Sequence, residues 1–139
     1  MPLTVPNQGE EQILNVMTRK VPQTDLLLDL FSSNTTPNNA SVLADFTLCV
    51  GGGYAQKTLA NTAWVVTPGT PAIANTAAQQ FTWTSIPAVA NVFGYIVHTN
   101  GVIVAVERLA ANICPFVISA PGESIMIVPQ ITCGSATND

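Results

Sequence analysis

Charge is what this sequence has least of. Only 9% of its 139 residues are Asp, Glu, Lys or Arg, against about 25% in an average globular chain. Four Lys and Arg face eight Asp and Glu, a formal net charge of −4. That balance argues against a nucleic-acid binder, which meets phosphates with a cationic face. Intrinsic disorder is excluded too, because it requires low hydrophobicity together with high charge. Here 47% of the residues are apolar, and Thr, Ser, Asn and Gln number 41. Long apolar runs are also missing. The densest, Val102 to Val106, falls far short of the ~18 residues that suggest a membrane helix. The opening MPLTVPNQGEEQ has neither the basic nor the apolar region of a secretory signal. Asn34 and Asn39 fit the glycosylation pattern, but without a secretory route they read as polar loop residues.

Metal and nucleophile chemistry is equally thin. Cys49, Cys114 and Cys133 are widely separated, with no CxxC or CxxH spacing, which argues against a zinc site. Buried thiols in a reducing cytosol are the favoured reading; one disulfide with a third free thiol is the alternative. His98 is the only histidine, so any Ser-His-Asp or Cys-His site would have to use it. It lies in mid-hairpin among isoleucines, where a structural or interface role is expected. Asp25 and Asp29 share one face of a strand about 13 Å apart by strand rise, too far for a glycosidase pair. Neighbours Glu107 and Arg108 point to opposite faces. All four are expected in surface or interface ion pairs. Gly51-Gly52-Gly53 is not followed by GK[ST], so it reads as a turn needing positive φ rather than a phosphate loop. Trp64, Trp83, Phe81 and Tyr95 read as core before they read as a sugar platform. No catalytic residue, metal ligand or cofactor site emerges, and the chain reads as a non-enzyme.

Local pattern predicts a mainly β protein. Residues 7 to 20 form the one helix, with Asn7 as N-cap and Glu10 completing a capping-box-like pair. Its apolar stripe is Ile13, Leu14, Val16 and Met17, Arg19 and Lys20 suit its negative end, and Pro22 ends it. Period-two alternation follows over Asp25 to Phe31, with Leu26, Leu28 and Leu30 on one face. A helical turn falls within Ser41 to Phe46. Further strands are expected at Tyr54 to Leu59, Thr62 to Val66, Gln80 to Thr84, Ile113 to Ser119 and Ile125 to Ile131. Pro129 marks an edge or bulge in the last of these. Asn100-Gly101 between β-branched runs is a type I′ hairpin signature. A two-residue loop pairs Thr99 with Val102, Val97 with Val104, Tyr95 with Val106 and Phe93 with Arg108. One hairpin face, Phe93, Tyr95, Val97, Val102, Val104 and Val106, is dense core. The other carries Gly94, Ile96, His98, Ile103, Ala105 and Glu107 and is too apolar for solvent. The N-terminal helix or another subunit should cover it. The expected architecture is an antiparallel β-sandwich of jelly-roll type with a short N-terminal helix. It forms a single domain over 1–139 with residues 1–23 as an N-terminal segment and a frayed tail, Gly134 to Asp139.

Twelve charged side chains cannot cover the roughly 6,900 Å² that a folded monomer of this mass exposes, and the mean hydropathy is +0.36. Self-association follows as an expectation. The pattern nominates Leu3, Val5, Ile13 and Met17 of the N-terminal segment, and Ile96, His98 and Ile103 of the hairpin, as contact residues.

The order of short motifs carries a resemblance. Asn7-x-Gly9-Glu10 opens the helix, and Asp25-Leu26-x-Leu28-x-Leu30-Phe31 precedes a Thr/Pro/Asn loop. Ala44-Asp45-Phe46-Thr47, Gly53-Tyr54-Ala55-x-Lys57-Thr58-Leu59, Trp64 and Gln80-Phe81-Thr82-Trp83 follow, then Phe93-Gly94-Tyr95, Glu107-Arg108 and Pro129-Gln130-Ile131-Thr132. Over nearly the whole chain this order resembles small virion proteins of tailed bacteriophages, cyanophages included, that look like capsid decoration (cement) proteins. The triple glycine departs from the bulkier or Pro-containing approach to Gly-Tyr-Ala. The resemblance implies a homotrimer on the outer surface of an icosahedral head, bridging capsomers of the major capsid protein and assembled in the host bacterial cytoplasm. It implies neither a nucleic-acid nor a membrane partner. The alternative is a phage tail or host-adhesion module of similar fold that binds a glycan or receptor.

Overall fold

A computed structural model of the chain describes residues 3–18, 20, 22, 24–69 and 72–133. The described residues are mainly β: one helix, α1 (Asn7–Met17), and antiparallel strands in several sheets. In chain order the strands are β1 (Leu26–Phe31), β2 (Lys57–Leu59), β3 (Val65–Thr67), β4 (Ala72–Asn75), β5 (Gln79–Thr82), β6 (Asn91–Val92), β7 (Gly94–Thr99), β8 (Val102–Arg108), β9 (Phe116–Val117), β10 (Ser124–Ile127) and β11 (Gln130–Cys133). The largest sheet has the order β2-β1-β7-β8; the others are β11-β4-β3, β10-β5 and β6-β9.

The β7–β8 hairpin is the centre of the fold, and its turn follows from Asn100 and Gly101. Their φ values of 50° and 77° match the right-handed twist of the flanking strands. Thr99 pairs with Val102 and His98 with Ile103, but Val97 then pairs with Ala105. Val104 is an extra residue, and every expected pair beyond it moves by one. Tyr95 faces Glu107, not Val106, and Gly94 faces Arg108. The physical reason is a β-bulge, which puts two residues of one strand opposite one of the other. Val104 and Ala105 therefore both enter the core of Leu28, Leu30, Trp83, Tyr95 and Val97. Val106 crosses to the opposite face, where it joins Phe31, Phe46, Ile96 and Ile103.

That second face is covered by the chain itself. A 3-10 turn at Leu43–Asp45 brings Leu43, Phe46 and Leu48 onto it, and the Phe46 ring meets Phe31 edge-on at 4.9 Å. The outer edge of β8 is closed as well. Thr4 exchanges two backbone hydrogen bonds of 2.9 Å with Val106. Helix α1 lies across the strand at Gly9, where a Cβ would sit 2.6 Å from the Ile103 carbonyl oxygen. The helix is shorter than its periodicity suggests. Pro6 is its N-cap and no side chain caps it, because proline supplies a suitable φ without any donor to satisfy. Gly9 is buried, but Leu14 and Met17 are exposed. Lys20 lies beyond its end. The readings of Arg19 and of the tail lie outside the described residues.

Pro129 does more than mark an edge. It separates β10, paired with β5, from β11, paired with β4, so the chain changes sheets there. Strand β4 was hidden in the sequence, because Ala-Ile-Ala-Asn lacks a clear alternation and all four residues are half-buried.

Gly94 shows how tight the hairpin is. A Cβ there would overlap the Glu107 carbonyl oxygen and lie within 2.6 Å of the Phe31 ring. Gly94→Ala should therefore cost about 2–3 kcal/mol of unfolding free energy in urea titration, the usual scale of overpacking. Gly101→Ala, with open space around it, should cost about 1 kcal/mol through its positive φ alone.

Candidate functional site

The one buried ionisable cluster among the described residues is built around Asp29. In mid-β1, Asp29 pairs with Ile96 while Leu27 pairs with His98. Strand alternation therefore puts the carboxylate and the imidazole on the same face. His98 Nε2 lies 2.8 Å from Asp29 Oδ2, and both residues are almost fully buried. An ionised carboxylate only accepts, so Nε2 carries the hydrogen. The Gln56 amide also donates to Oδ2. The Tyr54 hydroxyl donates to Oδ1 at 2.7 Å and accepts from the Leu30 backbone N–H at 2.8 Å. That last bond has a clear cause. Strand β2 pairs with β1 only over Leu26 to Leu28, so beyond it β1 needs other partners. The Tyr54 hydroxyl supplies one, and the Cys49 backbone N–H, donating to the Leu30 carbonyl at 2.8 Å, supplies another.

The glycine run positions Tyr54. Gly51, Gly52 and Gly53 have φ of 81°, 63° and 83°, a left-handed path that other residues resist. A Cβ on Gly52 would meet the Ser85 carbonyl at 2.5 Å, and the Thr84 N–H donates to the Gly52 carbonyl at 2.8 Å. The expected positive-φ turn is there, and it aims Tyr54 back into the sheet. The ring stacks on Phe81 at 5.6 Å and on Trp83 at 6.1 Å.

The electrostatics describe a clamp more than a reaction centre. Burial pushes the Asp29 carboxyl upward, but hydrogen bonds from His98, Gln56 and Tyr54 and the nearby His98 charge together hold it below its ordinary value. Burial, then the Asp29 charge, pushes the Cys49 thiol up to about 12, so it stays protonated and poorly nucleophilic. The Tyr54 phenol is raised mainly by burial, then by its bond to Asp29. No buried side-chain polar atom among the described residues lacks a partner, and no group of three or more His, Cys, Asp or Glu there is placed to hold a metal ion.

Several expected contact residues have moved indoors. Ile96 and Ile103 are fully buried, and His98 is turned inward to Asp29. These three cannot offer a surface while the chain is folded this way, because Phe46 and its neighbours already occupy that face. Leu3, Val5 and Ile13 are half-buried, and Met17 is 74% exposed. Asp29 is likewise no surface ion. Glu107 accepts the Tyr95 hydroxyl at 2.8 Å. Arg108 donates to the Thr35 carbonyl and to Asn34 Oδ1, each at 2.9 Å, and lies over Phe93. Their partners are thus within the chain.

The Asp29 clamp was missed because strand spacing gives no hint of which strand lies alongside. The available signal was a lone carboxylate inside Leu28-Asp29-Leu30-Phe31 and a lone histidine inside an equally apolar strand. Cys49 and Cys114 are free thiols, the first buried and the second half-buried. All nine aromatic rings are buried or half-buried. Trp83 is 1% exposed, and Trp64 packs against the core while lining a cleft beside Leu26 and Leu59.

Elsewhere the described surface mixes neutral polar groups with exposed apolar side chains and carries few charges. Leu14, Met17, Val50, Val65, Val66 and Met126 are each more than half exposed. No Asp, Glu, Lys or Arg occurs between Lys57 and Glu107. Between α1 and the sheet run two adjoining clefts of about 200 and 260 Å³ that share Ile13, Thr24, Leu26 and Ile131.

The clamp makes acid sensitivity predictable. The folded Asp29 pKa lies below its unfolded value, so its stabilisation is complete above about pH 4 and is lost as pH falls through the folded value. Asp29→Asn should flatten the acid limb of a stability–pH curve measured by urea denaturation. His98→Ala should cost about 3 kcal/mol near neutrality, because it removes one partner of a buried pair. Tyr54→Phe should cost about 1–2 kcal/mol, because it strands the Leu30 N–H. Comparison with models of known protein families, with curated proteins and with solved structures finds no match to this chain.

Proposed function

We propose that this chain is a virion structural protein: a capsid decoration, or cement, protein on the outer surface of an icosahedral phage head. In this reading it is not an enzyme. It bridges capsomers of the major capsid protein as a homotrimer and stabilises the shell mechanically. The whole-chain order of motifs from Asn7 to Thr132 supports the family reading. The observation that carries the contact role is the surface: twelve large hydrophobic side chains stand exposed among the described residues, on a chain with twelve charged residues. A surface so short of ions is suited to being covered by other protein. Contacts made by apolar area and neutral hydrogen bonds are little weakened by salt. A standard contact takes ~800 Å² from each partner, and many copies acting on one lattice make modest single contacts sufficient.

The finer architecture belongs to the same proposal. Antiparallel sheets packed around Trp83, Tyr95 and Val97 are read as a β-sandwich of jelly-roll type. Since Ile96, His98 and Ile103 are buried, the surface assigned to partners is Leu14 and Met17 of α1 together with Val50, Val65 and Val66.

Particles lacking this protein should release DNA or rupture at a lower temperature than complete ones, and adding the purified protein back should restore them. Equal survival of the two particles under heat and chelator would refute cementing. Light scattering of the free protein should give the mass of three chains; a clean monomer at high concentration would refute the trimer.

A further inference from the structure

Only one of the chain's eleven asparagines, Asn100, is followed by glycine. Asn100 and Gly101 form the tip of the β7–β8 hairpin and lie outside both strands; the last pair below them is Thr99 with Val102. Both are exposed. Among the described residues no hydrogen bond engages the Gly101 N–H, and a Cβ built on Gly101 would meet nothing within 4 Å. Asn100 is also the one non-glycine residue described with a positive φ, 50°, a conformation most side chains resist. The turn calls for this pair of residues. The same pair sets an electrophile beside a nucleophile: a side-chain amide carbon, and a backbone nitrogen whose own residue has no side chain to shield it.

We infer that Asn100 is a self-modification site, where the chain deamidates and isomerises its own hairpin tip with water as the co-reactant. Solvent base removes the Gly101 amide proton. The nitrogen attacks Asn100 Cγ, so an N–Cγ bond forms. The Cγ–Nδ2 bond breaks, and Nδ2 leaves as ammonia after taking a proton from water. The resulting cyclic succinimide is opened by water at either of its carbonyls. Opening at Cγ leaves an ordinary aspartate. Opening at the main-chain carbonyl leaves isoaspartate, whose backbone runs through Cβ and Cγ. No electrons are gained or lost; an amino group is exchanged for a hydroxyl, which ionises.

The two products act differently on the fold. Asp-Gly suits the same turn, so the aspartate product only adds a negative charge to the stretch Thr58 to Val106, which contains no Asp, Glu, Lys or Arg. Isoaspartate inserts an extra backbone carbon into a two-residue loop, whose length fixes the strand register. The Thr99–Val102 pair is the first to feel it. This chemistry belongs to the free chain and is independent of any shell.

The test is timed incubation of the folded full chain in mildly alkaline buffer. Peptide mass spectrometry, with fragmentation that separates aspartate from isoaspartate, locates the products, and isoelectric focusing reads the acidic shift. Asn100 should convert ahead of every other asparagine, faster as pH rises, and give both products. The separated isoaspartate fraction should lose amide-exchange protection at Thr99 and Val102. Asn100→Gly keeps a turn-forming pair but has no side-chain amide, so the same incubation should leave its hairpin protection unchanged. Three results would each overturn the inference. One is an Asn100 that stays intact in the folded chain under conditions that convert it in the urea-unfolded chain. The others are conversion at a rate indifferent to pH, and isoaspartate in an undisturbed hairpin.

Discussion

Everything in this fold depends on burying both faces of one hairpin. All six residues of β7 are buried, and four consecutive residues of β8 are buried with them. A strand pair of this kind has no solvent face, so the rest of the chain must supply two covers. The first is the leucine face of β1 with Trp83 and Phe81 behind it. The second is the 3-10 turn that delivers Phe46. The bulge at Val104 lets one strand serve both, because it sends Val104 and Ala105 into the first core and Val106 into the second. Gly94 leaves the space that Phe31 fills.

Within that apolar centre Asp29 is the one ionic anchor. A buried carboxylate is costly unless its partners are well placed, and here they arrive from three directions. His98 comes from the neighbouring strand, Gln56 from the approach to β2, and Tyr54 from the glycine turn. The arrangement specifies the register of β1 against β7 and docks the Gly51–Gly53 loop, for which apolar packing alone offers no direction. The nearby thiol of Cys49 is held protonated, and the carboxylate is closed off from water.

The parts of this structure that were legible in the sequence are those fixed by local geometry. Asn100-Gly101 dictated its turn, Leu26, Leu28 and Leu30 dictated their face, and the three glycines dictated positive φ. What was not legible depends on contacts distant in the chain. The bulge at Val104 leaves no mark in a run of Val, Ile and Ala. The second hairpin face looked like an interface because its cover, Phe46, lies some fifty residues earlier in a loop. Asp29 and His98 look like surface groups until β1 and β7 are laid side by side. The helix was found in the expected segment but ends at Met17 and is capped by Pro6 rather than Asn7, and Leu14 and Met17 remain exposed because Gly9, not the apolar stripe, makes its closest approach to β8.

The interior is thus satisfied by the chain itself, and in the proposed function the outer apolar residues are what remain for other proteins. That division between a self-sufficient core and an ion-poor exterior is the central claim of the account. Its most direct test is near-atomic imaging of an intact virion in which this chain is traced. The account predicts the chain on the outside of the head, in threes, with Leu14, Met17, Val50, Val65 and Val66 covered by neighbouring protein. Finding it inside the particle or on the tail, or finding those side chains still facing solvent, would contradict it.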